Sequence, residues 1–422
     1  MNQFVQTTIA KTPYFLSIAL LGLLFSCQSP ASPETSEPTE FLADGMHRME
    51  MIVNDSLVLP FNFEWKKGDG NFSMRIYNAS EEIEVTEINW QEGSDTLRVQ
   101  MPVFLSYFKL ARSEKGVEGF WYNPDKDPKY RVAVRVVEGS DTRFDVINQA
   151  AFSLNYNWKV SFIRENRIGF GLGEFKLDGQ KVSGSILTET GDYRFLEGVL
   201  DGDKLSFSTF DGAHAYLFVA RVIGPGLMEG SYFSGNHFSI PWRAERDDAF
   251  ALRSATELNE LTTDDQSFPF SFPSLDGSIL SNEDERFKGK AYIVQIMGSW
   301  CPNCMDETRF FNALYSEYQS QGLEIVGITF ERSGDMEKAR PAMERMIKDL
   351  SIQYPVLFGG ASSDVKTSLP QIDTFMSFPT SFFVDRNGKV REIHTGFSGP
   401  GTSKFEAYTA KTHQLIEELL EE

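Results

Sequence analysis

The sequence predicts two fold classes in one chain: an all-β N-terminal region, sandwich or barrel, followed by an α/β domain. Three observations carry this. Between residues 46 and 248 apolar side chains recur at every second position, in runs bounded by turn residues. From about residue 267 the pattern changes to short continuous apolar runs alternating with helical spacing. The length, 422 residues, is too great for one ordinary core and suits two or three domains. With 41% hydrophobic residues the chain has enough apolar surface to fold. Its formal charge is −20, from 60 acidic and 40 basic residues, and no basic stretch stands out. A general nucleic-acid binder is thereby excluded, since nothing would neutralise phosphates.

In chain order, the first element is an apolar run at 14–27, YFLSIALLGLLFSC, preceded by Lys11. It is too short to span a bilayer comfortably and has the length of a signal-peptide core ending in a small residue, Ser26. LFSC resembles the lipobox of bacterial lipoproteins: Leu24 and Ser26 fit, and Phe25 is a less usual middle residue. The resemblance implies a signal peptide at 1–26 and a lipidated Cys27, because several acyl chains on one cysteine give stable anchoring. An ordinary cleaved signal with an incidental cysteine is the alternative. The expected location is the cell envelope, lipid-anchored and periplasm-facing, with the outer membrane favoured over the inner. Residues 27–45, rich in Pro, Ser, Thr and Glu at their start, read as a flexible tether.

Residues 46–248 read as antiparallel β. Phe72, Met74 and Ile76 alternate, as do Val132, Val134 and Val136, and Leu205 and Phe207. Asp-Gly pairs at 178–179, 201–202 and 211–212 lie between such runs, a strong hairpin signal. Two segments, VEGFWYN and MEGSYFSG, lie about 110 residues apart and raise the question of a duplication, 46–145 and 146–248. The aromatics Trp121, Tyr122, Tyr232, Phe233 and Trp242 read as core packing before a binding face. A polar connector follows at 249–266.

In the last part, 267–422, KAYIVQIMG is a buried strand, and the helix starting at Cys301 ends at Gly322. LEIVGITFE is a second strand, and the helix after it carries Pro341 as a break or kink. YPVLF is a short strand, two more flank the Asn387-Gly388 turn, and a helix closes the chain. This alternation predicts a mainly parallel sheet covered on both faces.

The chemistry centres on Cys301 and Cys304, in GSWCPNCMDE. Once Cys27 is spent on lipid, they are the only thiols left. Cys301 falls where a strand has ended and a helix begins, a place that stabilises a thiolate. Pro302 suits the first turn, and Cys304 lies one turn on, close enough to attack a mixed disulfide. A zinc site would want four ligands, and His47, His214, His237, His394 and His413 have no ligand spacing. A staple closing so small a loop gains about 2 kcal/mol, against about 3 for a 15-residue loop. Redox exchange is the remaining reading, and it needs no cofactor beyond the cysteine pair. Glu307 lies three residues past Cys304, on the same helix face; if buried, its pKa rises and it can move protons.

WCPNC at 300–304, FPT at 378–380, VDRNGKV at 384–390 and FSFPSLDGSILS at 270–281 together resemble the thioredoxin-fold domains of the TlpA/ResA type, extracytoplasmic thiol–disulfide oxidoreductases. The resemblance implies that Pro379 is a cis-proline facing the cysteine pair, that Cys301 is the exposed attacking thiol and Cys304 the buried resolving one. It implies that Glu307 assists proton transfer, and that Trp300, Pro302, Phe378, Pro379 and Thr380 shape the substrate surface. The family works mostly as reductases, on protein thiols and disulfides including apocytochrome c, fed by a membrane electron donor. Three departures stand out: Gln295 replaces the buried aspartate of cytosolic thioredoxins, removing that proton route; Arg309 replaces a common proline; and 359–377 is long. Two alternatives stay open, a thiol peroxidase and an envelope ligand-binding protein whose β region carries the main role.

Overall fold

In the computed structural model, residues 41–68, 71–262 and 265–422 are described. The proposed signal peptide, Cys27 and most of the tether lie outside them. Phe41 and Leu42 are both buried against the first sheet.

The β region is two antiparallel sheets with up-and-down order. The first has nine strands, from Gly45–Ile52 to Arg131–Val137, and its last strand pairs with its first, Met49 opposite Val136. The row is open between Glu81–Val85 and Ile88–Trp90, which end it. The second runs from Asn157–Arg164 to Phe238–Arg246, and its last strand again pairs with its first, Val160 opposite Ala244. There the strands Arg167–Asp178 and Lys181–Thr188 also pair, so this sheet closes into a barrel and leaves no main edge exposed. The three Asp-Gly pairs each close a hairpin of this barrel.

The alternation seen in the sequence points inward. Met74, Ile76, Val132 and Val134 fill the first core; Leu205 and Phe207 fill the second. Trp121, Tyr232 and Trp242 are buried, and Tyr122 and Phe233 half-buried. Phe210 leaves the second sheet to stack on Phe61 of the first at 4.6 Å, so the two cores meet. Gly119 and Gly230, in the next-to-last strand of each sheet, meet the same constraint. A Cβ at either would stand 1.9 Å from a carbonyl oxygen of the neighbouring strand, Lys109 or Val219.

The C-terminal domain has a five-stranded sheet. Ala291–Met297, Leu323–Glu331 and Val356–Ala361 are parallel; Thr380–Val384 and Val390–Thr395 run antiparallel. The last two deviate from a purely parallel pattern because a tight turn at Asn387-Gly388 joins them, too short for a crossover. Helices α1 (Pro302–Tyr318) and α4 (Phe405–Glu421) cover one face, with Phe311, Leu314, Ile416 and Leu419 on Ile293, Ile325 and Phe383. Phe268, Phe270 and Phe287, with Val365 and Leu369 at α3 (Val365–Ser368), cover Val294, Ile296, Ile328 and Phe382 on the other. Helix α2 (Met336–Leu350) runs unbroken through Pro341 and sets Met343 and Met346 on Met297 and Phe358. Pro341 falls early in the helix, where it removes the single bond to Glu337. Among the described residues no helix is long and apolar enough to cross a membrane.

Gly230→Ala is expected to destabilise the chain by about 1–3 kcal/mol, read from the denaturant midpoint, because strand and carbonyl must separate. An unchanged midpoint would contradict the close approach.

Candidate active site

The strand Ala291–Met297 ends at Gly298, and a tight turn delivers Cys301 to the N-cap of α1. There the Cys301 sulfur accepts the N–H of Cys304 at 3.2 Å. Pro302 takes the first helical position, where a missing N–H costs nothing. Cys301 and Cys304 are joined as a disulfide, with Cα atoms 5.2 Å apart. In the reduced form the same N–H and the helix dipole favour a thiolate on Cys301. The turn is held from the next strand: Glu331 accepts the Ser299 N–H at 3.0 Å and its hydroxyl at 2.6 Å. Burial pushes the Glu331 carboxyl up to about 7. Trp300 donates to the Phe330 carbonyl at 3.1 Å, and Arg332 lies 3.7 Å over its ring.

The Phe378–Pro379 bond is cis. Phe378 meets the Trp300 ring edge-on at 5.3 Å, and the Pro379 carbonyl accepts the Gly396 N–H at 2.8 Å. Thr380 turns inward: it is fully buried, its hydroxyl between Asn259 of the connector and the Ser377 carbonyl. Phe378 packs against the cluster that holds both cysteines.

Behind the pair lies Glu307, 0% exposed. Its Oε2 accepts Gln295 Nε2 and Ser381 Oγ, each at 2.9 Å. Burial pushes this carboxyl up to about 8, and the donors from Gln295 and Ser381 offset only part of that. Gln295 also reaches the Cys304 carbonyl at 3.5 Å and accepts from Thr308 and Tyr354. The residue read from sequence as a lost proton route is thus the hub that ties Cys304 to Glu307. Asp306, the neighbour of Glu307, faces the other way and pairs with Arg194 at 2.5 Å and Arg309 at 2.9 Å.

The expectation of an exposed Cys301 is corrected: it is 6% exposed. Loops of the β region cover it. Val103, Phe104 and Ala213 join Cys301, Cys304 and Met305 in one apolar cluster. On the other flank the segment 189–194 crosses the domain: Ser377 donates to the Thr190 carbonyl at 3.3 Å, Asn303 to that of Asp192 at 3.4 Å, and the Gly399 N–H to the Asp192 carboxylate at 2.6 Å. Arg194 holds this seam. Its guanidinium is 8% exposed, donates to the Pro302 carbonyl between the two cysteines at 3.3 Å, and pairs with Asp306, with Asp211 at 3.5 Å, and with Glu81. Burial works against its charge, but Asp306, Glu81 and Asp211 outweigh it and raise its pKa.

Residues 263–410 match the Redoxin family. A thiol-disulfide oxidoreductase ResA of Bacillus thuringiensis subsp. konkukian is 29% identical over 121 residues, 29% of this chain and 62% of that protein. A ResA of Halalkalibacterium halodurans is 24% identical over 174 residues, 41% of this chain and 80% of that protein. Over 263–410 the chain has a thioredoxin-like fold and is similar in sequence to these thiol-disulfide oxidoreductases. The chain spans under two thirds of the first relative's length. Among solved structures, a thiol:disulfide interchange protein DsbE from Chlorobium tepidum is 24% identical, covers 38% of this chain and 99% of its own, with a TM-score of 0.31.

The thioredoxin-like domain thus gathers Trp300, Cys301, Pro302, Cys304, Glu307, Phe378 and Pro379. Sequence reasoning missed Glu331, Arg194 and the cover itself. Arg194 carries no local signal, since its partners Glu81 and Asp306 lie more than a hundred residues away on either side.

Arg194→Met leaves three carboxylates without their shared cation, two of them deeply buried. It is expected to weaken the seam by about 3–5 kcal/mol and to speed alkylation of reduced Cys301 by about tenfold or more. Alkylation at the parent rate, followed by mass spectrometry of the Cys301 peptide, would show that Arg194 does not hold the cover.

Proposed function

We propose that this chain is an extracytoplasmic thiol–disulfide oxidoreductase that exchanges disulfides with protein substrates, working as a reductase. The observation that carries the reading is the pairing of two sites on one helix: a sulfur capped by an N–H at Cys301 and a buried acid behind Cys304. The names of the ResA relatives support the same activity. The run at 14–27 and its resemblance to a lipobox support an envelope location and a membrane anchor. Reduction requires an upstream electron donor in the membrane, and apocytochrome c thiols are one substrate class that the resemblance suggests.

The mechanism follows from the geometry. Thiolate Cys301 attacks a substrate disulfide and forms a mixed disulfide, releasing one substrate thiolate. Cys304 then attacks the Cys301 sulfur, and its proton passes to the Glu307 carboxylate as the second substrate thiolate leaves. When a donor dithiol re-reduces the pair, Cys304 departs as a thiolate and the neutral acid Glu307 returns the proton. An acid titrating near 8 serves both directions close to neutral pH. The cover over Cys301 gives the β region a part in this: a protein substrate must displace the segment 189–194 or the loop at Val103–Phe104 before it meets the sulfur. The same cover supports a role for the β region in choosing partners.

Cys301→Ser is expected to abolish turnover, and Cys304→Ser to accumulate the mixed disulfide on non-reducing gels. The resolving step needs ionised Glu307, so its rate should rise with pH through about 8, the wild-type carboxyl value. Glu307→Gln should remove that rise and slow resolution by about a hundredfold. A pH profile that keeps its rise in Glu307→Gln would take Glu307 out of the scheme.

A further inference from the structure

The two oxygens of the buried Glu307 carboxyl are treated unequally. Oε2 accepts from Gln295 and from Ser381, each at 2.9 Å, while Oε1 has no hydrogen-bond partner. On α4 the Tyr408 hydroxyl is also buried and also without a partner. The two groups act on each other: the Tyr408 hydroxyl favours the charged form of Glu307 against its burial, and burial, followed by the Glu307 charge, raises the Tyr408 phenol. Packing places the two in one neighbourhood: the Tyr408 ring lies 4.3 Å from that of His394, His394 is opposite Ser381 in the sheet, and Ser381 donates to Glu307.

The inequality says where the proton sits. Oε2 is saturated by donors and takes up a proton only by losing one of them. The titrating proton of Glu307 is accordingly carried on Oε1. A tyrosine hydroxyl is the right neighbour for such an oxygen, since by turning about its C–O bond it accepts from an acid or donates to a carboxylate. Tyr408 also lines a cavity of about 450 Å³ between the second sheet and the C-terminal domain.

We propose that Tyr408 is the positioning residue for the proton of Glu307, accepting from Oε1–H in the acid and donating to Oε1 in the carboxylate. This rests on the oxidoreductase reading. In the resolving step the Cys304 sulfur bonds to the Cys301 sulfur, the bond from Cys301 to the substrate breaks, and the substrate leaves as a thiolate. The Cys304 proton goes to Glu307, and the Tyr408 hydroxyl turns from donor to acceptor. No electron passes through Tyr408.

The other groups around Glu307 leave this task to Tyr408. Gln295 and Ser381, from two strands, both serve Oε2. On α1, Cys304 is the exchanging thiol and Thr308 donates to Gln295. Tyr354, from the segment before Val356–Ala361, also donates to Gln295, at 3.3 Å. Beyond Tyr408, His394 lies on its ring at 4.3 Å, and burial holds that imidazole neutral by lowering it to about 4. Lys411 and Glu392 neutralise each other at 2.7 Å.

The test is Tyr408→Phe in the full chain. Removing the hydroxyl deletes at most one buried hydrogen bond and should lower stability by no more than that one bond contributes, and a purely structural role predicts that loss with no change in pH dependence. The proposal predicts that the rise in the resolving rate moves up by a pH unit or more. At pH 7 resolution then slows about tenfold, and the rate recovers as the pH is raised. The carboxyl band of Glu307, followed by infrared titration of the oxidised chain and assigned with Glu307→Gln, should move by the same amount. An unshifted band in Tyr408→Phe overturns the proposal. Because that band is read without turnover, its result stands whether or not the parent chain exchanges disulfides, and an inactive parent would count against the oxidoreductase reading alone.

Discussion

One buried guanidinium, that of Arg194, ties the three parts of this molecule together. It leaves the second sheet, meets Glu81 of the first, and reaches Asp306 and the Pro302 carbonyl on the redox helix. A charge taken out of water is stable only when paired and hydrogen-bonded, so these positions are mutually dependent. Asp211 shows the same dependence: burial pushes its carboxyl up, but His214 and Arg194 outweigh that and hold it at about 2. The placement of 189–194 across the domain follows, and with it the cover on Cys301.

Two adjacent carboxylates on α1 show how environment assigns roles. Asp306 faces the seam and has two arginines within reach. Glu307 faces the sheet, where its partners are an amide and a hydroxyl and no cation comes near, so burial decides and the acid is neutral at pH 7. The helix start completes the division: Cys301 has an N–H aimed at its sulfur, and Cys304 is buried one turn along beside the amide that holds Glu307. A nucleophile and a proton store are thereby kept apart by a single helical turn.

Local signals were legible wherever the cause is local. The Asp-Gly hairpins, the helix ending at Gly322, the strand Leu323–Glu331 and the cysteines at a helix start all follow from residues within a few positions of each other. Ring closure was not, because the pairing of Val160 with Ala244 depends on many strands being in register at once. Pro341 reads as a break or kink in isolation, and with Met343 and Met346 packed on the core the helix runs through it without a break. Gln295 reads as the loss of an acid; only the fold shows its amide spanning Cys304 and Glu307. The cover over Cys301 needs Phe104, Ala213 and Asp192 brought to one place, and no pattern in the chain announces it.

The most direct measurement is a redox titration of Cys301 and Cys304 in the full chain, in defined dithiol buffers. The account predicts one reversible two-electron transition, with a tenfold change in the oxidised-to-reduced ratio for every ~30 mV, at a potential below about −230 mV. A transition above about −230 mV, or a pair that reacts irreversibly, would contradict it.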